Sequence, residues 1–389
     1  MRIGIIFDHP GHLCQSSIRY ERYCQGFLKL GHDAILVTTR FSAEGFHFPC
    51  QVVEDANVFR TPSFWKNLNL DIAILPTWLG KSDLLSALRP YCSWVIALAD
   101  SDGHIGAQVH FWQLLIRVWS LHARWLDRLR SVGWLIRQYL GQDQRVDQSI
   151  LESCNLADQI VVCSPGAIQN LRRFFSYHHQ SHLSERLISL PYPVDECFDG
   201  VEISKNRTHQ VVVIGRWSDT QKGAKFLRKI LQNRLRKGRE IYRIIGPDAD
   251  PKFGDLAEQY PDRIRLCGII TPKSIAEILQ QSIILLSTSR WESGPIIACE
   301  ALLSGCTLVG PDQIPLFRDY INLGFGTSYT PRSVPRATRA IATELAKWEQ
   351  GERDPSWIRK RWQGHFSGIS ICKTLLESYD RRSSHRGGH

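Results

Sequence analysis

The sequence predicts an α/β protein made of two doubly wound parallel-sheet domains. Short apolar runs alternate with helical patterns through the first half, a spacing that means strand, crossover helix and parallel strand. The alternation stops at a polar stretch from Asp199 to Gln210 and then restarts with Gln210-Val211-Val212-Val213-Ile214. A chain of 389 residues exceeds one ordinary core and suits two domains.

The elements follow in order. Ile3 to Phe7 reads as a first buried strand that breaks at Asp8-His9-Pro10-Gly11. A helical pattern from Ser17 to Leu30 stops at Gly31, and strand-like runs follow at Ala34 to Thr38, Leu70 to Leu75, Trp94 to Ala99 and Gln159 to Cys163. In the second half come strand 210–214, helix 222–236, strands Tyr242 to Ile245 and Ile264 to Leu266, and helix 272–281. Strand Ile283 to Leu286, helix 296–304 and strand Thr307 to Val309 complete it. The expected boundaries are 1–198 for the first domain, 199–365 for the second, 366–380 for a final helix, and 381–389 for a disordered basic tail. Ligands of such sheets bind beyond the carboxyl ends of the strands, so the expected site is the cleft between the domains.

The formal charge of +10 points to a phosphate-bearing partner: nucleotide, nucleic acid or anionic lipid. No nucleic-acid motif accompanies it, which sets that partner aside. Eleven cysteines stand singly without a C-x-x-C pair, which argues against a zinc site or disulfide framework and for a reducing, cytoplasmic setting. The sequon Asn206-Arg207-Thr208 would then go unused. The amino terminus is too short and too soon polar for a signal peptide, and no apolar run reaches eighteen residues.

Three segments of the second half carry chemistry. Strand 210–214 ends in Gly215-Arg216-Trp217-Ser218-Asp219-Thr220-Gln221-Lys222-Gly223, where Arg216 supplies a rigid guanidinium fork and Lys222 a point charge. Gly246 and Gly268 end two further strands, where a missing side chain lets a ligand approach the backbone. Glu292 follows the strand that closes at Leu286, and Gly294-Pro295-Ile296 opens the helix that carries Glu300. Free N–H groups at such a helix start suit phosphate or sugar oxygens. Either glutamate alone reads as an ordinary surface carboxylate, and Arg216 with Lys222 alone as solvated charge.

Together their order and spacing resemble the donor-binding half of GT-B glycosyltransferases, specifically the retaining glycosyltransferase family 4, also called glycosyl transferases group 1. The matching residues are Gly215, Arg216, Lys222 and Gly223 for a G-R…K-G motif, and Glu292, Gly294, Pro295 and Glu300 for E-x7-E. Weaker echoes lie at Asp147 to Ser164, at Leu190-Pro191-Tyr192-Pro193-Val194-Asp195 and in the 366–380 helix. The resemblance implies a nucleotide-diphosphate sugar as donor, with Arg216 and Lys222 on the diphosphate, Glu300 on the ribose and Glu292 near the transferred sugar. It implies metal-independent transfer with retention to a saccharide or lipid-linked acceptor, hence polysaccharide biosynthesis; the expected setting is cytoplasmic, either free or peripheral at the inner face of a membrane. Cofactors and metal are expected to be absent; Asp100-Ser101-Asp102 has the letters of a metal motif but lies in the other half.

The first half departs from the family. The loop after the first strand carries one glycine, Gly11, where relatives have several, and Asp100 stands roughly where relatives place a histidine, with His104 four residues on. Asp100 or His104 could touch the sugar or acceptor, or cap a turn. Those departures leave open a second function, an inactive GT-B-fold binding or scaffold protein of a glycan-synthesis complex. Segment 109–140 reads as one polar helical stripe, Gln113, Arg117, Ser120, Arg124, Asp127 and Ser131, with Trp112, Ile116, Trp119 and Leu126 on another face. It suits packing on the first sheet, an anionic membrane surface, or a second copy.

Overall fold

The computed structural model of the chain describes residues 1–7, 18–39, 49–77, 80–121, 124–199, 203–204 and 207–386. It divides into two compact units: Met1–Phe111 with Trp134–Val194 and His365–His389, and Trp112–Gly133 with Asp195–Gly364.

Among the described residues, the first unit holds a parallel sheet of β1 (Arg2–Phe7), β2 (Asp33–Thr38), β3 (Cys50–Val52), β4 (Leu70–Pro76), β5 (Cys92–Leu98), β6 (Gln159–Val162) and β7 (Leu187–Ser189). Their order is β3-β2-β1-β4-β5-β6-β7. The period-2 alternation of strand side chains explains why the runs are apolar throughout. Ala73, Leu75, Val95 and Ala97 enter one core, while Ile72, Ile74, Trp94 and Ile96 enter the core on the opposite face. The Gly368–Arg386 helix packs on the Ile18–Lys29 helix so closely that a Cβ at Gly26 would lie 2.6 Å from the Gly368 carbonyl. It runs beyond the expected end: Arg381 Nε donates to the Glu377 carbonyl at 3.2 Å, and helix continues through 381–386 where a disordered tail was expected.

The second unit holds β8 (Gln210–Ile214), β9 (Ile241–Ile245), β10 (Ile264–Gly268), β11 (Ile284–Leu286), β12 (Thr307–Pro311) and β13 (Gly326–Tyr329), ordered β10-β9-β8-β11-β12-β13. The chain winds one way from β8 to β10 and the other from β11 to β13, so the strand order reverses between β8 and β11. This is the point where open α/β sheets leave a crevice beyond the strand ends.

Segment 109–140 departs from the single stripe expected. It forms two helices, Ala107–Leu121 and Trp125–Tyr139, because the chain leaves helical geometry in a bend at Arg124, and a second break lies at His110 (φ −127°, ψ 36°). Its Trp112–Gly133 part groups with the second unit.

Candidate functional site

The motif residues of the second unit fall on the two strands that flank the reversal. Arg216 and Lys222 follow β8, and Glu292, Gly294 and Pro295 follow β11. Trp217 anchors the first loop: it is buried, its Nε1 donates to the Ile245 carbonyl at 3.1 Å, and its ring meets Phe253 edge-on at 5.2 Å. With Trp217 turned into the core, Arg216 beside it is left at the surface. There it reaches Asp219 at 3.2 Å, an exposed pair of the kind worth at most about 1 kcal/mol. The guanidinium is held, but lightly.

The two loops are tied together. Arg290 N donates to the Gln221 carbonyl at 2.8 Å, and Thr288 Oγ1 to the Lys222 carbonyl at 2.8 Å. Lys222 Nζ forms an ion pair with Glu292 Oε1. Glu292 also accepts from Ser289 Oγ at 2.7 Å and from Gln221 Nε2 at 3.2 Å. Gly223 makes this junction possible: its φ is +70°, and a Cβ there would lie 2.5 Å from the Thr288 carbonyl.

Glycines end three adjacent strands. Gly215 N donates to the Ile245 carbonyl at 3.1 Å, and Gly246 N to the Gly268 carbonyl at 2.7 Å. Gly268 lies at the end of β10, two strands away from the reversal. The Ile296–Leu303 helix starts at Pro295, with no side chain capping it, and Glu300 on that helix is buried. The surface-carboxylate reading of Glu300 therefore fails: a charge taken from water in this way needs a polar partner.

In the first unit Asp100 follows β5 at φ +41° and accepts from Tyr20 OH at 2.7 Å and from Tyr192 OH. His104 lies nearby in sequence but has different partners: Nδ1 reaches Asp102 Oδ2 at 3.0 Å, and Nε2 meets Asn170 Nδ2 at 3.3 Å. The structure thus separates Asp100 and Asp102 into two hydrogen-bonded groups. Gly11 lies outside the described residues. Among the described residues no cluster of three metal-ligating side chains occurs.

Two buried groups of this unit oppose each other in pH. Burial holds His110 down to about 4, and burial lifts Asp147 to about 6. The histidine takes its proton in the unfolded chain first, so its contribution to stability is lost as pH falls from about 6.5 toward 4. Asp147 keeps its proton longer when folded, so its contribution is full below about 4 and lost as pH rises through about 6. Relative to wild type, Asp147→Asn gains on the order of 3 kcal/mol as pH rises from 4 to 7, and His110→Gln gains a similar amount as pH falls over that range. Urea unfolding at several pH values checks both; parallel curves for a variant and wild type would remove that group from the account.

Comparison with known proteins adds the family. Residues 208–346 match the family described as glycosyl transferases group 1. That segment is similar to glycosyl transferases group 1 proteins. A glycosyltransferase from Rickettsia africae is similar in structure over 98% of this chain and 98% of its own, with a TM-score of 0.68 at 12% identity. HepE of Anabaena, solved in complex with UDP and glucose, aligns over 98% and 99% with a TM-score of 0.60 at 14% identity. A sucrose-phosphate synthase from Thermosynechococcus elongatus aligns over 99% of each chain with a TM-score of 0.59 at 16% identity. The fold class is GT-B. A search of curated proteins gave no match.

Around the motif residues, the structure shows several supporting side chains whose role was not read from the sequence. Gln221 and Ser289 orient Glu292, and Trp217 fixes the loop of Arg216. Ser120, from the Trp112–Gly133 segment, accepts from Thr220 Oγ1 through its carbonyl and from Arg290 Nη1 at 2.6 Å through its hydroxyl. Gln221 and Ser289 had a local signal in their nearness to Lys222 and Glu292. Ser120 had none, since it lies 100 residues from Thr220.

Proposed function

We propose that the protein is a retaining glycosyltransferase that moves a sugar from a nucleotide-diphosphate sugar to a saccharide or lipid-linked acceptor, without a metal. The observation that carries this reading is the placement of Arg216, Lys222, Glu292 and the Pro295 helix start at the strand-order reversal of a segment similar to glycosyl transferases group 1 proteins. Its proposed setting is the cytoplasm, at the inner face of a membrane. The HepE structures hold UDP, UDP with glucose, and UDP-glucose, which supports a nucleotide-sugar donor.

Each residue has a role in this reading. Arg216 exchanges its weak surface contact with Asp219 for the diphosphate, which it grips as a fork. Lys222, paired with Glu292, neutralises charge on the leaving diphosphate, and the N–H groups at the Ile296 helix start assist. Gly215, Gly268 and Gly294 let the donor approach the backbone. Glu300 accepts from the ribose hydroxyls and Glu292 contacts the transferred sugar. From the first domain, Asp100 or His104 contacts the sugar or acceptor; Gly11, assigned with them, lies outside the described residues.

Thermal stabilisation by UDP-, GDP- and ADP-sugars tests the reading, followed by turnover with the donor that stabilises. A donor at a hundred times its dissociation constant adds about 2.7 kcal/mol. Arg216→Ala weakens every diphosphate ligand by about 10- to 100-fold, the worth of a charge-assisted hydrogen bond. Loss confined to one sugar contradicts the role of Arg216. Stabilisation by none of the donors, alongside salt-sensitive DNA binding, overturns the reading.

A further inference from the structure

The Trp112–Gly133 segment leaves its large apolar side chains outside any core. Trp112 is 71% exposed, Trp119 49%, Trp125 66%, Leu126 52% and Leu129 50%. Scattered single apolar residues on a surface are ordinary, but five within eighteen residues form a patch that calls for a partner. The same segment carries Arg117, Arg124, Arg128 and Arg130 against one carboxylate, Asp127. Arg128 lies over the Trp119 ring at 5.6 Å, so cation and aromatic share one surface.

We infer that this helical hairpin is a docking surface for an anionic lipid bilayer. Tryptophan combines an apolar ring with a polar N–H and favours the headgroup boundary, and arginines beside it add attraction to acidic headgroups. The hairpin docks on the bilayer and does not cross it. Each of its helices has 15 residues, about 22 Å of rise against a hydrocarbon core of about 30 Å. Among the described residues, no helix is long and apolar enough to span a membrane. The hairpin is also held in place: Ser120, buried near the end of its first helix, accepts from Thr220 and Arg290 of the loops that carry Lys222 and Glu292. The apolar patch is thus fixed to the unit proposed to bind donor. The inference rests on the proposed function only in making the bilayer the place where a lipid-linked acceptor is met.

Flotation of the full chain with vesicles tests it, independently of donor binding. Vesicles of phosphatidylcholine with phosphatidylglycerol are expected to bind at least tenfold more chain than phosphatidylcholine alone, and less as salt rises. Replacing Arg117, Arg124 and Arg128 together by Gln lowers partition about five-fold per residue, the equivalent of about 1 kcal/mol each. Trp119→Ser with Trp125→Ser and Leu126→Ser lowers it on both vesicle types. Unchanged melting temperatures show that the variants fold; if the serine variant does not, the glutamine variant supplies the reading. No flotation at low salt, equal binding to both vesicle types, or a dimer that these substitutions dissociate without any flotation overturns the inference. Failure here with donor stabilisation intact leaves the proposed function standing.

Discussion

Lys222→Met is expected to lower the unfolding free energy by about 2–3 kcal/mol, and adding Glu292→Gln to restore most of it. Lys222 and Glu292 form an ion pair with side chains only 20% and 12% exposed. Removing one charge from a fully buried pair costs about 3–5 kcal/mol, because the partner is left uncompensated in a poor solvent for ions. The partial exposure of this pair scales that down. In the wild type Ser289 Oγ donates to Glu292 Oε1 at 2.7 Å and Gln221 Nε2 to Oε2 at 3.2 Å; in the double variant the amide oxygen accepts from Gln221, and the amide NH2 donates to the Ser289 hydroxyl, which accepts as readily as it donates. The functional readout behaves differently. With the cation gone from both variants, neither the single nor the double is stabilised by a nucleotide-diphosphate sugar as wild type is, because the diphosphate has lost its point charge. Chemical denaturation measures the first effect and donor-induced thermal shift the second. A double variant no more stable than Lys222→Met would show that the pair does not set the local energetics. Full donor stabilisation of either variant would remove Lys222 from the site.

The fold was legible because its strands are buried on both faces. Runs such as Ile72 to Leu75 and Val211 to Ile214 must be apolar at every position when alternate side chains enter two cores, and continuous runs are easily read. The strands missed, β3, β7 and β13, have three or four residues each, and Gln51 and Val52 of β3 are exposed. Their pairing is a tertiary matter with little local signal. Several helices were missed although a local signal was present: Ser164-Pro165 and Ser333-Val334-Pro335 each place a capping hydroxyl and a proline at a helix start. The candidate site was legible as an ordered set of residue types but not as contacts. Spacing brought Lys222 and Glu292 into one list. That they pair with each other, and that Tyr20 and Tyr192 both donate to Asp100, depends on the chain closing over 70 to 92 residues.

Two glycines at neighbouring strand ends are expected to respond to alanine by different amounts in stability and in donor binding, and the contrast separates fold from ligand contact. Gly246 has φ +118°, and a Cβ there would lie 2.0 Å from the Gly215 carbonyl oxygen. Neither atom belongs to a flexible side chain, so the ends of β8 and β9 must part, and the Gly215 N–Ile245 O bond of 3.1 Å is strained with them. Backbone strain of about 1–3 kcal/mol and a weakened hydrogen bond of about 1 kcal/mol give Gly246→Ala a cost of about 2–4 kcal/mol. Arg216 follows Gly215 directly, so donor binding falls along with stability. Gly268 has φ +60°, and a Cβ there meets nothing within 4 Å. Gly268→Ala therefore costs about 1–2 kcal/mol, the penalty of a left-handed alanine alone. Its expected effect on the donor is larger than its effect on the fold, since a methyl group would occupy the open space through which a ligand reaches that backbone. Equal loss of stability in the two variants would show that the close approach of β8 and β9 is not what Gly246 serves. Donor affinity of Gly268→Ala equal to wild type would place Gly268 outside the site and confine the donor to the ends of β8 and β11.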